Sequence, residues 1–159
     1  RISEKIANKA KQVALKASTA FNHVGILAVE LFLTHDDEIL INEVAPRPHN
    51  SGHQTIETSY TSQFEQHLRA ILGMPLGSTE NKLSGVMVNL VGAENHKGEV
   101  VYENIEKIME MGGVTPHIYG KTETRPFRKM GHVTVVHSNI ESARAIAEEV
   151  KKSIKVISK

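Results

Sequence analysis

Apolar residues recur at helical spacing from the start of the chain, where Ile6, Ala10, Val13, Ala14 and Ala17 share one face and lysines occupy the other. Ser3 stands at the N-cap position, and the pattern predicts a helix ending near Thr19. The period then falls to two: in "GILAVELFLTHDDEILINEV", Val29, Leu31 and Leu33 alternate with Ala28, Glu30 and Phe32, and Asp36 and Asp37 separate two apolar runs. This predicts a β-hairpin turning at the two aspartates. Ser62 and Glu65 form a capping box ahead of Phe64, Leu68, Ile71 and Leu72, and Gly73 with Pro75 closes that second helix. "PLGSTENKLS" reads as a linker. Beyond it, "GVMVNLVG", "VTPHIYG" and "GHVTVVH" predict strands, and "IEKIMEM" predicts a short helix stopped by Gly112 and Gly113. Ser138 and Glu141 suggest a capping box for a last helix, whose buried stripe is Ile140, Ala143, Ile146, Ala147, Val150, Ile154 and Ile157. The expected fold is α+β in two parts, residues 1–78 and 79–159.

Composition narrows the function more than the fold. Nineteen Lys and Arg against eighteen Asp and Glu leave a formal charge of +1, so no global basic field attracts nucleic acid and any anion must be held locally. No apolar run reaches the roughly 18 residues of a membrane span, and no signal segment is visible. With no cysteine, disulfides, thiolate metal sites and cysteine nucleophiles are excluded, which suits a cytoplasmic protein. The chain opens on Arg1 and enters a helical pattern almost at once, so we expect a fragment of a longer protein.

The densest chemistry lies in "NEVAPRPHNSGH", Asn42 to His53. Pro46 and Pro48 fix φ and remove backbone donors, so this segment is a stiff polar loop, a usual place for a site. A turn at Asp36–Asp37 sets Glu30 directly across from Glu43 on one face. Like charges facing each other destabilise a ladder, and a divalent cation would supply the reason for them. Oxygen ligands suit Mg²⁺, which takes one or two protein carboxylates and fills its shell with water and phosphate oxygens. The alternative is a solvated face, or a register shifted by one residue that puts the two glutamates on opposite sides.

A second cluster is basic: Lys121, Arg125, Arg128 and Lys129, with only Glu123 against them. It reads as a local anion site, the alternative being a solvated loop. His23, His35, His67, His96, His117 and His137 stand singly without metal-ligand spacing, and none is assigned to metal.

"GILAVELFL" followed by "INEVAPRPHNSGH" resembles the ATP-grasp ligases, and "NEVAPRPHNSGH" resembles, within them, the N5-carboxyaminoimidazole ribonucleotide synthetases of purine biosynthesis. "YGKTETRPFRKMGHVTV" resembles the C-terminal domain of the same family. The resemblance implies the C-terminal half of an ATP-grasp domain followed by a small mixed α/β domain. It implies a reaction of ATP and bicarbonate to carboxyphosphate, with transfer of the carboxyl group to the amine of aminoimidazole ribonucleotide. By this resemblance Glu30 and Glu43 hold Mg²⁺, while Asn42 and Glu43 lie at the ATP phosphates. Arg47 holds bicarbonate or carboxyphosphate, and His49 orients the amine or accepts its proton. Asn50 and Ser51 bond the nucleotide substrate, Gly52 lets the backbone approach or turn, and Lys121 and Arg128 bind the ribotide 5′-phosphate. Arg125 and Lys129 are then outward-facing or structural, His132 begins a strand and reads as no more than a hydrogen-bonded residue, and His53 either braces the loop or touches substrate. A cytoplasmic homodimer is also implied.

The chain departs from the pattern at Ala45, where many ATP-grasp enzymes carry Asn, and at Gln54, where an aromatic residue is expected. The adenine pocket and the phosphate-binding lysine of the family are not in this chain, which is therefore expected to be inactive alone. The rival readings are another ATP-grasp ligase, such as the formate-dependent ribotide transformylase, and a non-catalytic folding or dimerisation module.

Overall fold

The computed structural model describes residues 2–159. In chain order the elements are α1 (Glu4–Ala20), β1 (Ala28–Leu33), β2 (Ile39–Ala45), α2 (Thr55–Thr58), α3 (Gln63–Ile71), β3 (Ser84–Val91), β4 (Gly98–Glu103), α4 (Ile105–Met109), β5 (Val114–Ile118), β6 (Glu123–Thr124), β7 (Lys129–His137), α5 (Ile140–Ser153) and β8 (Lys155–Ser158). They form two compact units. One comprises the residues up to His53 with Thr61–Ser78, and the other Gln54–Tyr60 with Thr79–Lys159.

The first unit contains α1, the β1–β2 hairpin and α3. Ser3 caps α1 by accepting from the Ile6 amide at 3.3 Å, and Ser62 caps α3 by accepting from Glu65 at 3.2 Å. The Glu65 side chain does not close a reciprocal box but turns to Arg69, one helical turn on. The hairpin differs from expectation at its tip. Its loop is three residues long, His35 to Asp37, closed by Thr34 and Glu38, with Asp37 left-handed at φ 58°. Near the tip this register pairs Leu33 with Ile39 and Leu31 with Ile41, one step off the pairing that an Asp36–Asp37 turn would give. A bulge at Asn42 then restores the step, so that Glu30 does face Glu43.

The second unit contains two three-stranded antiparallel sheets, ordered β3-β7-β5 and β6-β4-β8. Helix α5 packs on β3 and β7, and the core gathers Leu90, Ile108, Met130, Val133, Val135, Ala147, Val150, Ile154 and Val156. The last helix begins and ends elsewhere than its stripe suggests. Asn139, not Ser138, is the N-cap, accepting from the Glu141 and Ser142 amides at 2.9 and 3.0 Å. The helix stops at Ser153, and Ile154 to Ile157 are not its last turn. Ile154 and Val156 are buried two residues apart, a strand period, and β8 pairs with β4, a strand absent from the sequence reading. Helix α2 lies in a stretch to which the sequence pattern assigns no element.

Gly131 on β7 shows how closely this sheet is packed, since a Cβ there would lie 2.4 Å from the His117 carbonyl oxygen of β5. Backbone cannot yield as a side-chain tip can. Gly131→Ala is therefore expected to lower the urea unfolding midpoint, by the equivalent of about 1–3 kcal/mol. An unchanged midpoint would show that the β5–β7 spacing is slack. No helix among the described residues is long and apolar enough to cross a membrane.

Candidate functional site

The hairpin of the first unit carries an acidic site. Carboxylate oxygens of Glu30 and Glu43 and a ring nitrogen of His49 all lie within 4.8 Å of one another, and both glutamates are exposed. The bulge matters here. In a regular strand Asn42 and Glu43 would point to opposite faces, but the Asn42 amide donates to Glu30 Oε2 at 3.4 Å, so both residues attend the same carboxylate.

His49 closes the group. Its Nε2 lies 3.4 Å from Glu30 Oε1, while its Nδ1 accepts from the Ser51 amide at 3.4 Å and lies 2.9 Å from Ser51 Oγ. An Nδ1 that accepts a backbone N–H leaves the ring proton on Nε2, turned toward Glu30. In that tautomer His49 is a donor to the Glu30 carboxylate. The donors that fit a cation are thus the two carboxylates, whose facing charges Asn42 and His49 only partly offset. Hard oxygen ligands of this kind suit Mg²⁺.

The loop is held by a residue that sequence reading missed. Gln63, at the start of α3 and 8% exposed, accepts from the His49 amide at 2.9 Å and donates to the His49 carbonyl at 2.8 Å. Its second amide hydrogen reaches His53 Nδ1 at 2.8 Å, and the His53 ring stacks on Phe64 with centroids 5.4 Å apart. His53 is a brace. Gly52 is required for the same reason, because a Cβ there would come within 2.5 Å of Gln63 Oε1. No spacing rule flags such a glutamine, since Gln at the first position of a helix is unremarkable by pattern.

The remaining loop residues are placed less tightly. Arg47 is exposed, with Nη1 on the Pro48 carbonyl at 3.0 Å. Asn50 opens a 3₁₀ turn, Asn50–Gly52, that the sequence reading left as loop, and its carbonyl accepts from the His53 amide at 3.1 Å.

The basic cluster lies in the second unit. Lys121 Nζ donates to the Lys129 carbonyl and stands 5.8 Å from the Tyr119 ring centroid. Arg128 Nη1 donates to the Glu123 carbonyl at 2.8 Å. Lys121 and Arg128 are half-buried and anchored by backbone oxygens, and among the described residues neither forms an ion pair with a carboxylate. The Arg125 and Lys129 side chains are exposed. His132 is 2% exposed on β7, stacked on His117 of β5.

Residues 1–64 match the ATP-grasp domain, and residues 85–146 match the phosphoribosylaminoimidazole carboxylase C-terminal domain. The N5-carboxyaminoimidazole ribonucleotide synthase of Bacillus subtilis is 50% identical over 134 residues, which is 84% of this chain and 34% of that protein. The crystal structure of N5-carboxyaminoimidazole ribonucleotide synthetase from Thermotoga maritima superposes with a TM-score of 0.93 at 51% identity, covering 100% of this chain and 44% of that one. The Aspergillus clavatus N5-carboxyaminoimidazole synthase, solved in complex with ADP and 5-aminoimidazole ribonucleotide, superposes with a TM-score of 0.83 at 35% identity, covering 96% of this chain and 41% of that one. The chain thus spans about a third of the length of the Bacillus relative and less than half of each solved chain.

Proposed function

Because the chain belongs to the N5-carboxyaminoimidazole ribonucleotide synthetases, an ATP-grasp family of which it holds the C-terminal portion, we propose that its intact enzyme carboxylates 5-aminoimidazole ribonucleotide at the expense of ATP. A bicarbonate oxygen attacks the γ-phosphorus and ADP leaves, giving carboxyphosphate. The exocyclic amine of the ribotide then bonds to the carboxyl carbon, phosphate departs and the nitrogen loses a proton.

Glu30 and Glu43 hold Mg²⁺ in this reading, and the ion supplies charge neutralisation at the transferring phosphoryl oxygens. Asn42, brought to the same face by the bulge, directs its amide to the ATP phosphates. Arg47 grips bicarbonate and carboxyphosphate, whose planar anionic oxygens match a guanidinium fork. His49 orients the acceptor or takes up the proton its amine loses, and the Ser51 contacts at Nδ1 favour the orienting role. Asn50 and Ser51 bond the ribotide or intermediate, while Lys121 and Arg128 hold its 5′-phosphate. We place the enzyme in the cytoplasm as a homodimer, on the strength of the family alone.

The observation that carries the proposal is the meeting of Glu30, Glu43, Asn42 and His49 on one face of a bulged hairpin. The test is an assay of the intact enzyme with ATP, labelled bicarbonate and aminoimidazole ribonucleotide. Phosphate release stimulated by the ribotide, with one label fixed per ADP formed, is expected. Turnover supported by formate without bicarbonate would instead favour a transformylase. ATP consumption no higher than the enzyme-free blank would favour a non-catalytic module.

A further inference from the structure

The Lys129 carbonyl tethers the Lys121 ammonium on one side, and an unassigned polar chain in the second unit ends at the same residue. The β5–β7 register sets His117 opposite His132, and the two imidazoles stack with centroids 4.4 Å apart and planes 14° from parallel. At one end, His117 Nε2 donates to Glu57 Oε1 of α2 at 2.7 Å. At the other, Tyr119 Oη lies 3.0 Å from His132 Nδ1, and the Tyr119 ring lies under Lys121 Nζ. The chain therefore runs Glu57, His117, His132, Tyr119, Lys121.

Such an arrangement is costly unless it orders something. His132 is 2% exposed, and among the described residues Glu57 Oε2 is buried without a hydrogen-bond partner. The hydrogen bond between Tyr119 Oη and His132 Nδ1 joins the phenol to the stacked pair. That bond fixes the Tyr119 ring. Gly120, left-handed at φ 70°, turns the backbone between Tyr119 and Lys121. An ammonium 5.8 Å from an aromatic centroid is within cation–π range.

We propose that Tyr119, held by the stacked His117–His132 pair and Glu57, is a positioning residue that sets the Lys121 ammonium for the ribotide phosphate. The proposal rests on the assignment of Lys121 made above. In the intact enzyme, Tyr119→Leu is expected to raise KM for aminoimidazole ribonucleotide about three- to thirtyfold, the range of a cation–π contact. Its kcat and its KM for ATP should stay within about twofold. Tyr119→Phe keeps the ring and loses only its hydroxyl tether, so it should recover part of the loss. Lys121→Ala is the reference, and in its background Tyr119→Leu should add nothing.

The outcomes separate. If Lys121→Ala leaves ribotide KM unchanged, the phosphate assignment falls and this proposal with it. If Lys121→Ala acts but Tyr119→Leu leaves KM unchanged, lowers kcat equally, or adds its full effect to Lys121→Ala, the phosphate assignment stands and the positioning role is overturned. Should Tyr119→Leu fail to fold, Tyr119→Phe in both backgrounds decides by the same additivity.

Discussion

Glu43→Gln in the intact enzyme is expected to cut ATP turnover by about two to three orders of magnitude, about 3–4 kcal/mol of transition-state stabilisation. The amide preserves the size and the strand position of Glu43 while removing the charge that a divalent cation needs. Stability should move the other way. Glu43 faces Glu30 across the ladder, so neutralising one of them relieves a like-charge pair and raises the unfolding midpoint by a few tenths of a kcal/mol. Activity lost while stability rises is a signature that neither a packing residue nor a solvated surface glutamate would give. Steady-state phosphate release across a Mg²⁺ titration measures the first quantity and urea unfolding the second. Turnover unchanged at every Mg²⁺ concentration would remove Glu43 from the metal site.

That the two glutamates meet was legible in the sequence, but the route was not. The expected turn at Asp36–Asp37 would have paired them directly. The true loop is longer by one residue, and alone would have put Glu30 and Glu43 out of register. The bulge at Asn42 cancels that error, and because turn length and bulge each change the register by one, the alternating pattern of apolar residues cannot tell the two cases apart. The consequence is more than bookkeeping. Only the bulged form brings Asn42 to the face of Glu43, so the proposed contact of both with ATP depends on the feature that the pattern conceals.

Other gaps have the same character. Periodicity reports one chain segment at a time, and the stacked His117 and His132 are each unexceptional until β5 pairs with β7. Ile154 and Ile157 fit a helical stripe by spacing, but Ile154 and Val156 fit a strand equally well, and pairing with β4 decides for the strand. The basic cluster was visible as composition, whereas the anchoring of Lys121 and Arg128 on backbone carbonyls follows from the path of β6 and β7. In the first unit the apolar side chains of Phe32, Leu33, Leu40 and Ile41 are exposed on the hairpin, so the alternation that predicted β structure there did not predict burial. Local residue order thus carried the elements, and contacts made across elements carried the geometry of the site.

Gln63→Leu is the second large effect to expect, and it tests whether His49 acts through its position. Every hydrogen-bonding group of the Gln63 amide is engaged: the oxygen by the His49 amide, one hydrogen by the His49 carbonyl, the other by His53 Nδ1. Leucine fills a similar volume and offers none of these. The His49 N–H and C=O lose their partners in a half-buried setting, at about 1–3 kcal/mol for each group left unsatisfied. The loop must then move to find water, and it carries the His49 ring away from Glu30. A displacement of about 1 Å at a positioning group costs on the order of 10²-fold in rate, so kcat for carboxylation should fall by roughly that factor. KM for ATP should change little, because Glu30 and Glu43 are fixed by the strands β1 and β2 and not by the loop. Gly52→Ala should produce the same kinetic pattern from the opposite side, since its added methyl would press on Gln63 Oε1. If both variants unfold at lower urea but keep kcat, the clamp serves only the stability of the loop and the position of His49 is not limiting. If both lose kcat and keep KM for ATP, the work of the prolines in "APRPH" is completed by a glutamine on the next helix.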